Sequence, residues 1–314
     1  MAETIACLKR GKLELLVHDR GDAPSSVPLA SPYQERAGTL GTGLPAAPIV
    51  SVTRGRRRGE LYYAIDVPSG TAVFAQTHAV AQEEQIFHGV DVKISEIDFS
   101  FGDEALACRV PGPRGTSAIG SLADDGKGVR TVTEGDVVDC MPRWAIGGRG
   151  EIVYASAGVG RTKSGKWGGL SPFSLHRLRF TDNSVEVLTA DAKYDYLAPV
   201  PISDSLLYAI RRPYRAPRPP SPLELVLSPF RRKSGSESGD RSAGDPAQSE
   251  LVRITTRGIE TLASGVVAFD VAMNGDVVYV VGSSVLRLVA SVRGSAERTD
   301  TVATLADVDQ LVIC

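Results

Sequence analysis

The run Gly160-Arg161-Thr162-Lys163-Ser164-Gly165-Lys166 comes nearest to a nucleotide site in this chain. A phosphate loop cradles phosphates with backbone N–H groups and offers magnesium a hydroxyl from the residue after its lysine. Here that residue is Trp167, and Gly168-Gly169-Leu170-Ser171-Pro172 reads as loop where a helix would be needed. The run is expected to be a long basic loop. Gly41-Thr42-Gly43 lacks the strand that precedes a dinucleotide fingerprint. For acyl transfer there is no Gly-x-Ser-x-Gly elbow. The four histidines, His18, His78, His88 and His176, share no motif, so a Ser/His/Asp set would have to assemble in space. No two histidines are spaced for zinc. Asp124-Asp125-Gly126 and Asp182-Asn183 suit hairpin tips, where short polar side chains bond the backbone. Calcium would need more oxygen ligands than these supply. No cofactor, metal site or catalytic residue is assigned and no small-molecule ligand is identified; whether a channel binds a small ligand or metal stays open.

Charge is the stronger signal. Arg54, Arg56, Arg57 and Arg58 form a dense basic tip. Arg211, Arg212, Arg215 and Arg218, with Arg231, Arg232 and Lys233, form a second group. Neither has the interleaved aromatics of a nucleic-acid module, and the whole chain carries a net charge of −2, which disfavours nucleic acid as partner. Two readings stay open: an interface for an acidic protein surface, since arginine is enriched at interfaces, or a solvated cluster.

The elements that would carry these residues are short strands. Glycine (32) and proline (19) are plentiful, as many turns require. One pattern recurs: strand, tight turn, stronger strand. It appears at residues 97–108, in MPRWAIGGRGEIVYAS (141–156), in APVPISDSLLYAIRR (198–212) and in FDVAMNGDVVYVVG (269–282). The turns fall at Gly102-Asp103, Gly148-Arg149-Gly150, Asp204-Ser205 and Asn274-Gly275, the last a strong hairpin signal. A second hairpin follows each, over 117–135, 175–191, 251–265 and 285–307, and LYYAIDVPSGTAVFAQT (61–77) has the same form. Two hairpins make four antiparallel strands, the content of a propeller blade, and a period of about 40–45 residues is blade-sized. Blades are expected at 92–136, 137–192, 193–265 and 266–307, with a less regular one over 47–79. A sixth would combine the C-terminal strand 309–314 with strands in 4–18, closing the ring and removing open edges. The fold expected is an all-β, six-bladed propeller of one domain; the alternative is a β-sandwich with added strands.

At Pro142-Arg143-Trp144-Ala145, followed by Gly148, Gly150, Ile152, Tyr154 and Ser156, the chain resembles the TolB-type propellers, the family of PD40 or WD40-like repeats. Leu188-Thr189 and Val132-Thr133 match the Leu-Thr that closes such repeats. The resemblance covers residues 90–290 and only loosely the N-terminal third. Gly102-Asp103 and Asp204-Ser205 depart from its Asp-Gly turn. It implies a protein-binding ring; relatives with an export signal act in the periplasm.

Two segments interrupt the repeat. Residues 19–46 read as a long inter-blade loop. Residues 213–249 open with a stiff proline-rich tract, continue with apolar Leu225, Leu227 and Phe230, and close with a Ser- and Gly-rich tail. This insertion is read either as a docking peptide or as a cover for the propeller's side. The first residues lack the apolar run of a secretory signal, and no stretch reaches the ~20 apolar residues of a membrane span. Cys7, Cys108, Cys140 and Cys314 lie far apart, with no CxxC, as expected for reduced thiols in a cytoplasmic protein. The function expected is a non-catalytic protein-interaction scaffold; the alternative is a propeller enzyme, a hydrolase or lyase, with its site in the central channel.

Overall fold

The alternation of apolar and polar residues becomes strands throughout the computed structural model. It describes residues 3–18, 25–29, 31, 47–57, 59–77, 83–123, 128–146, 150–165, 167–216, 246–272, 274–289 and 298–314. Among these residues there are 25 strands, two 3-10 turns and no α-helix. Strands β1 (Glu3–Lys9), β2 (Lys12–His18) and β3 (Ser25–Leu29) form a meander. Strands β4 (Ile49–Arg54), β5 (Glu60–Val67), β6 (Gly70–Thr77) and β7 (Glu83–Val90) form a four-stranded sheet.

A nine-stranded sheet follows. It holds β8 (Ser95–Ser100), β9 (Ala105–Pro111), β10 (Ser117–Ala123) and β11 (Val129–Thr131). It also holds β12 (Val137–Trp144), β13 (Glu151–Arg161), β14 (Trp167–Leu170), β15 (Ser174–Arg179) and β16 (Ser184–Val187). Its two halves meet at one parallel bridge, Ser117 with Val138. Next come β17 (Tyr194–Ser203), β18 (Leu206–Pro213), β19 (Glu250–Thr255) and β20 (Gly258–Ser264). They precede β21 (Val266–Val271), β22 (Val277–Val281), β23 (Ser284–Val289) and β24 (Arg298–Thr304). The last strand, β25 (Gln310–Ile313), pairs with β1 in the register Ile5 to Ile313 and Leu8 to Gln310. The arrangement is all-β and propeller-like. Apolar clusters lie between consecutive meanders, and each fully buried aliphatic chain in them is worth about 1.5–3 kcal/mol.

Two expectations are corrected. The segment 19–46 is not loop throughout: Ser25–Leu29 pairs with β2, Leu15 opposite Val27. That pairing covers an edge whose N–H and C=O groups would otherwise lie open. The stretch after the glycine-rich run is also strand. β14 continues the ladder of β13, with Val159 opposite Leu170. A Cβ on Gly168 would sit 3.1 Å from the Gly160 carbonyl oxygen, so these glycines serve close strand approach. Arg161 is tied to Asp136, its Nε donating at 2.9 Å.

Candidate functional site: a central channel with two ends

Six strands, β4, β8, β12, β17, β21 and β25, supply the residues that line two cavities. Residues at and beside their irregular pairings, with Leu8 of β1 and Ile210 and Arg212 of β18, surround a leading chamber of about 400 Å³, and the last residues of the first five surround a trailing mouth of about 430 Å³. Arg143 belongs to both, so its guanidinium marks the waist.

Five of these strands, β4, β8, β17, β21 and β25, have one edge without a partner strand in their own sheet, and β12 meets β10 only at the single bridge of Ser117 with Val138. Side chains from the preceding strand satisfy many of those edge N–H groups. The Ile97 N–H donates to Ser51 Oγ (2.8 Å) and the Phe99 N–H to Thr53 Oγ1 (3.4 Å). The Trp144 N–H donates to Asp98 Oδ2 (2.8 Å), and the Met141 N–H to Glu96 Oε2. The Ala198 N–H meets Met141 Sδ, and the Ile313 N–H meets Asp270 Oδ2 at 2.9 Å. Gln310 closes the series: its Oε1 accepts the Val52 N–H (3.1 Å) while its Nε2 donates to the Val52 carbonyl (2.7 Å). The carboxylates of the channel are thereby engaged in joining neighbouring strands, each bond to a charged acceptor contributing about 1.5–3 kcal/mol.

At the waist, Asp98 Oδ1 accepts from Arg143 Nη1 (3.0 Å) and from Thr53 Oγ1 (3.2 Å). Burial works against the Arg143 charge, but Asp98 and Asp270 outweigh it and raise its pKa, so the guanidinium stays protonated. Asp270 is fully buried, and its Oδ1 receives no hydrogen bond.

The leading chamber is built by bulges. In β4, β8, β12, β17 and β21 one extra residue slips into the ladder, at Ile49/Ser51, Ser95/Asp98, Cys140/Arg143, Leu197/Val200 and Val266/Ala268. Val50, Glu96, Ile97, Met141, Pro142, Ala198 and Val267, all bulge residues, line the chamber. Three of them, Glu96, Met141 and Ala198, take φ of 52°, 53° and 48°. That left-handed conformation costs a non-glycine residue roughly 1–2 kcal/mol. A bulge re-aims its side chain and bends the strand, which here opens space inside the ring.

The trailing mouth is the opposite in character. Phe101 and Ile146, on the turns after β8 and β12, are 58% and 63% exposed and stand at its rim. Ile202 and Ala272 continue the lining from β17 and the turn after β21, and Arg54 enters from β4. Of the basic tip foreseen at Arg54, Arg56 and Arg57, Arg54 lines this mouth. Arg56 pairs loosely with Glu104 (3.6 Å). Among the described residues Arg54 and Arg57 have no side-chain hydrogen bond or ion pair.

The described members of the second basic group do not form a free patch. Arg211 binds Glu250 (2.6 Å), Arg212 binds Asp195 (3.3 Å), and Arg215 donates to Gln248 Oε1 (2.9 Å). That last bond ties the two sides of the 213–249 insertion together at its stem. Tyr214 Oη adds an anchor by donating to the Leu170 carbonyl (2.6 Å). The stem leaves β18 where Arg212 and Ser249 line the leading chamber, so Arg212 and Arg54 line opposite ends of the channel. Arg58, Arg218, Leu225, Leu227, Phe230, Arg231 and Arg232 lie outside the described residues.

One Ser/His/Asp neighbourhood does assemble. Ser174 Oγ lies 2.9 Å from His176 Nε2, with Asp139 nearby. Burial pushes the imidazole below its ordinary pKa against the pull of Asp139, and raises the Asp139 carboxyl despite the hydroxyls of Ser156 and Thr133. Among the described residues no hydrogen bond joins His176 to Asp139. The group sits on the strand face that carries Tyr154 and Leu178, which pack against β9 and β10. Neither cavity reaches it. It is a packed junction between neighbouring meanders. Among the described residues no metal cluster forms, and no helix is long and apolar enough to cross a membrane. Burial pushes the Cys7, Cys108 and Cys314 thiols up to about 12 and raises Cys140 well above the ordinary thiol value, and all four are free.

Comparison with solved structures identifies the fold. A TolB structure from Acinetobacter baumannii is similar at a TM-score of 0.58 and 14% identity, over 99% of this chain and 66% of that one. The chain thus spans just under two thirds of that TolB. A nidogen/laminin complex is similar at 0.59 and 11% identity, covering 99% of this chain and 98% of that one. The tricorn protease is similar at 0.54 and 11% identity, over 99% of this chain and 34% of that one. No family model and no curated protein matches the sequence. At such identities the likeness establishes the fold alone.

Proposed function

Starting from a TolB-like β-propeller fold, we propose that this chain is a single six-bladed domain acting as a non-catalytic protein-interaction platform. It would grip an acidic partner segment at the trailing mouth. Six blades follow if the nine-stranded sheet is counted as two meanders joined at Ser117 and Val138, and β25 with β1–β3 as one. The apolar cluster that links β21–β24 to β25 and β1 supports that closure.

The observation that carries the function is the trailing mouth itself. Exposed Phe101 and Ile146 flank a cavity of about 430 Å³ lined by Arg54, which among the described residues has no carboxylate partner, with Arg57 three residues further along the chain. Apolar anchors ringed by arginine are the residue types that dominate binding energy at interfaces. The nidogen/laminin complex and TolB give precedents for the fold in such roles. The protease among the relatives keeps the enzyme alternative open, but the channel carboxylates of this chain are occupied in joining strands. Free thiols fit a reducing cytoplasm, where we place the protein. The insertion at 213–249, whose stem leaves β18 beside the leading chamber, is retained as a second candidate docking segment.

Selection of displayed random peptides on the intact protein tests the reading. Enriched sequences should combine acidic residues with a bulky apolar one and should lose affinity when Arg54 and Arg57 are both changed to Glu. Enrichment unchanged by that double reversal would move the interface elsewhere. A robust esterase, phosphatase or glycosidase rate, lost on mutating channel residues, would replace the scaffold reading with the enzyme one.

A further inference from the structure

The leading chamber has a donor excess that the protein itself leaves unanswered. A guanidinium carries five N–H donors and no acceptor. Among the described residues Arg143 spends one of its nitrogens, Nη1 on Asp98, and Arg212 spends one, Nε on Asp195. Both arginines line the chamber. Most of its side-chain acceptors are already engaged. Glu96 receives Arg109 Nη1 (3.1 Å) and the Met141 N–H, Gln310 Oε1 receives the Val52 N–H, and Asp309 receives the Arg10 N–H (2.8 Å). The remaining wall is apolar: Leu8, Ile97, Leu197, Ile210, Phe269 and Leu311 among others. An occupant must therefore bring acceptors without donors, and a hydrocarbon body.

We infer that the leading chamber binds a small amphiphilic monocarboxylate, its tail against the apolar wall and its carboxylate on the Arg143 and Arg212 guanidinium groups. Carboxylates are acceptor-only, and their two oxygens match the guanidinium fork. A monoanion suits the charge. Arg212 already faces Asp195, and Arg143 faces Asp98 with Asp270 also acting on its charge, so a doubly charged phosphate would carry uncompensated charge into an apolar space at high desolvation cost. The volume, about 400 Å³, falls within the range of small-molecule pockets. Five bulges, three with a residue in the left-handed region, open this space; a ring serving only as scaffold could fill it with side chains.

Titration calorimetry of the full chain with octanoate, and with octanamide as a control of similar size, tests the inference. Octanoate is expected to bind saturably, at one per chain, and at least about tenfold more tightly than octanamide. Arg143→Lys and Arg212→Gln should each weaken octanoate by about tenfold or more. Arg143 also holds Asp98, so Val267→Phe, which fills the chamber without touching a charge, serves as the independent variant and should abolish binding while circular dichroism stays native. The trailing-mouth double reversal at Arg54 and Arg57 should leave octanoate affinity unchanged. Equal binding of octanamide, no binding by the wild type at millimolar octanoate, or unaltered affinity in a folded Val267→Phe variant would each overturn the inference.

Discussion

The two ends of one channel are made from the same strands and differ in almost every other respect. At the trailing mouth Phe101 and Ile146 face solvent, and Arg54 has no side-chain partner among the described residues. At the leading chamber the apolar residues are enclosed, and each arginine is held by a carboxylate. The difference comes from where along the strand the chain departs from regular pairing. Turns at the trailing end project side chains outward, as loops on a rigid scaffold do. Bulges at the leading end stay within the sheet and turn extra residues toward the axis. A surface for a macromolecule and a pocket for a small molecule can thus share one ring.

The largest expected effect falls on both ends alike. Deleting residues 309–314 removes buried Leu311, Val312 and Ile313, together with the Gln310 link to Val52. At about 1.5–3 kcal/mol for each aliphatic chain, the loss is comparable with the ~5–15 kcal/mol stability of a typical domain. Urea unfolding followed by circular dichroism should show no cooperative transition; a truncated chain that still melts cooperatively would separate the ends from ring closure.

The waist comes next. Asp98→Ala leaves the buried Arg143 charge and the Trp144 N–H without their acceptor. A cost of about 3–5 kcal/mol is expected in chemical denaturation, as for other broken buried ion pairs. A cost under about 1 kcal/mol would mean the strands are joined mainly by packing.

Substitutions at the trailing mouth sharpen the contrast. Phe101→Ser with Ile146→Ser should shift stability by no more than about 0.5 kcal/mol each, since both are exposed. Affinity for peptides selected on the wild type should fall at least about tenfold. A large fall in melting temperature would show that these side chains belong to the core.

The smallest effect lies away from both ends. Burial depresses the His176 pKa, so the unfolded chain takes up this proton first. Its contribution to stability is present above the unfolded value of about 6.5 and is lost as pH falls through the lower folded value. Asp139, raised by burial, acts with the opposite sign in the window just above the ordinary Asp value of about 3.9. His176→Gln should flatten the decline in stability below pH ~7 without altering octanoate or peptide affinity. An unchanged slope would assign the decline to other groups.

Strands and their pairing were legible because alternation and turn residues are local. Asn274-Gly275 marks its hairpin, and the repeat from 97 to 307 marks the rest. Proline- and glycine-rich composition hid β3, whose pairing depends on the exposed edge of β2 rather than on its own residues. The basic tip at Arg54 to Arg57 was visible as a charge run; its place beside Phe101 and Ile146 was not, because those residues come from three separate turns. Arg211 and Arg212 read as surface charge, yet each meets a carboxylate across a strand pair. The chamber was least visible of all. Its bulges fall at Glu96, Met141 and Ala198, none of them a glycine that would have flagged a left-handed residue. By itself the sequence determined an all-β repeat chain, because period-2 alternation and turn chemistry act over a few residues. Only the tertiary structure decided that Arg143 stands at a waist with Asp98, and that Arg212 shares its chamber, because those neighbours come from strands far apart in the chain and meet only around the channel axis.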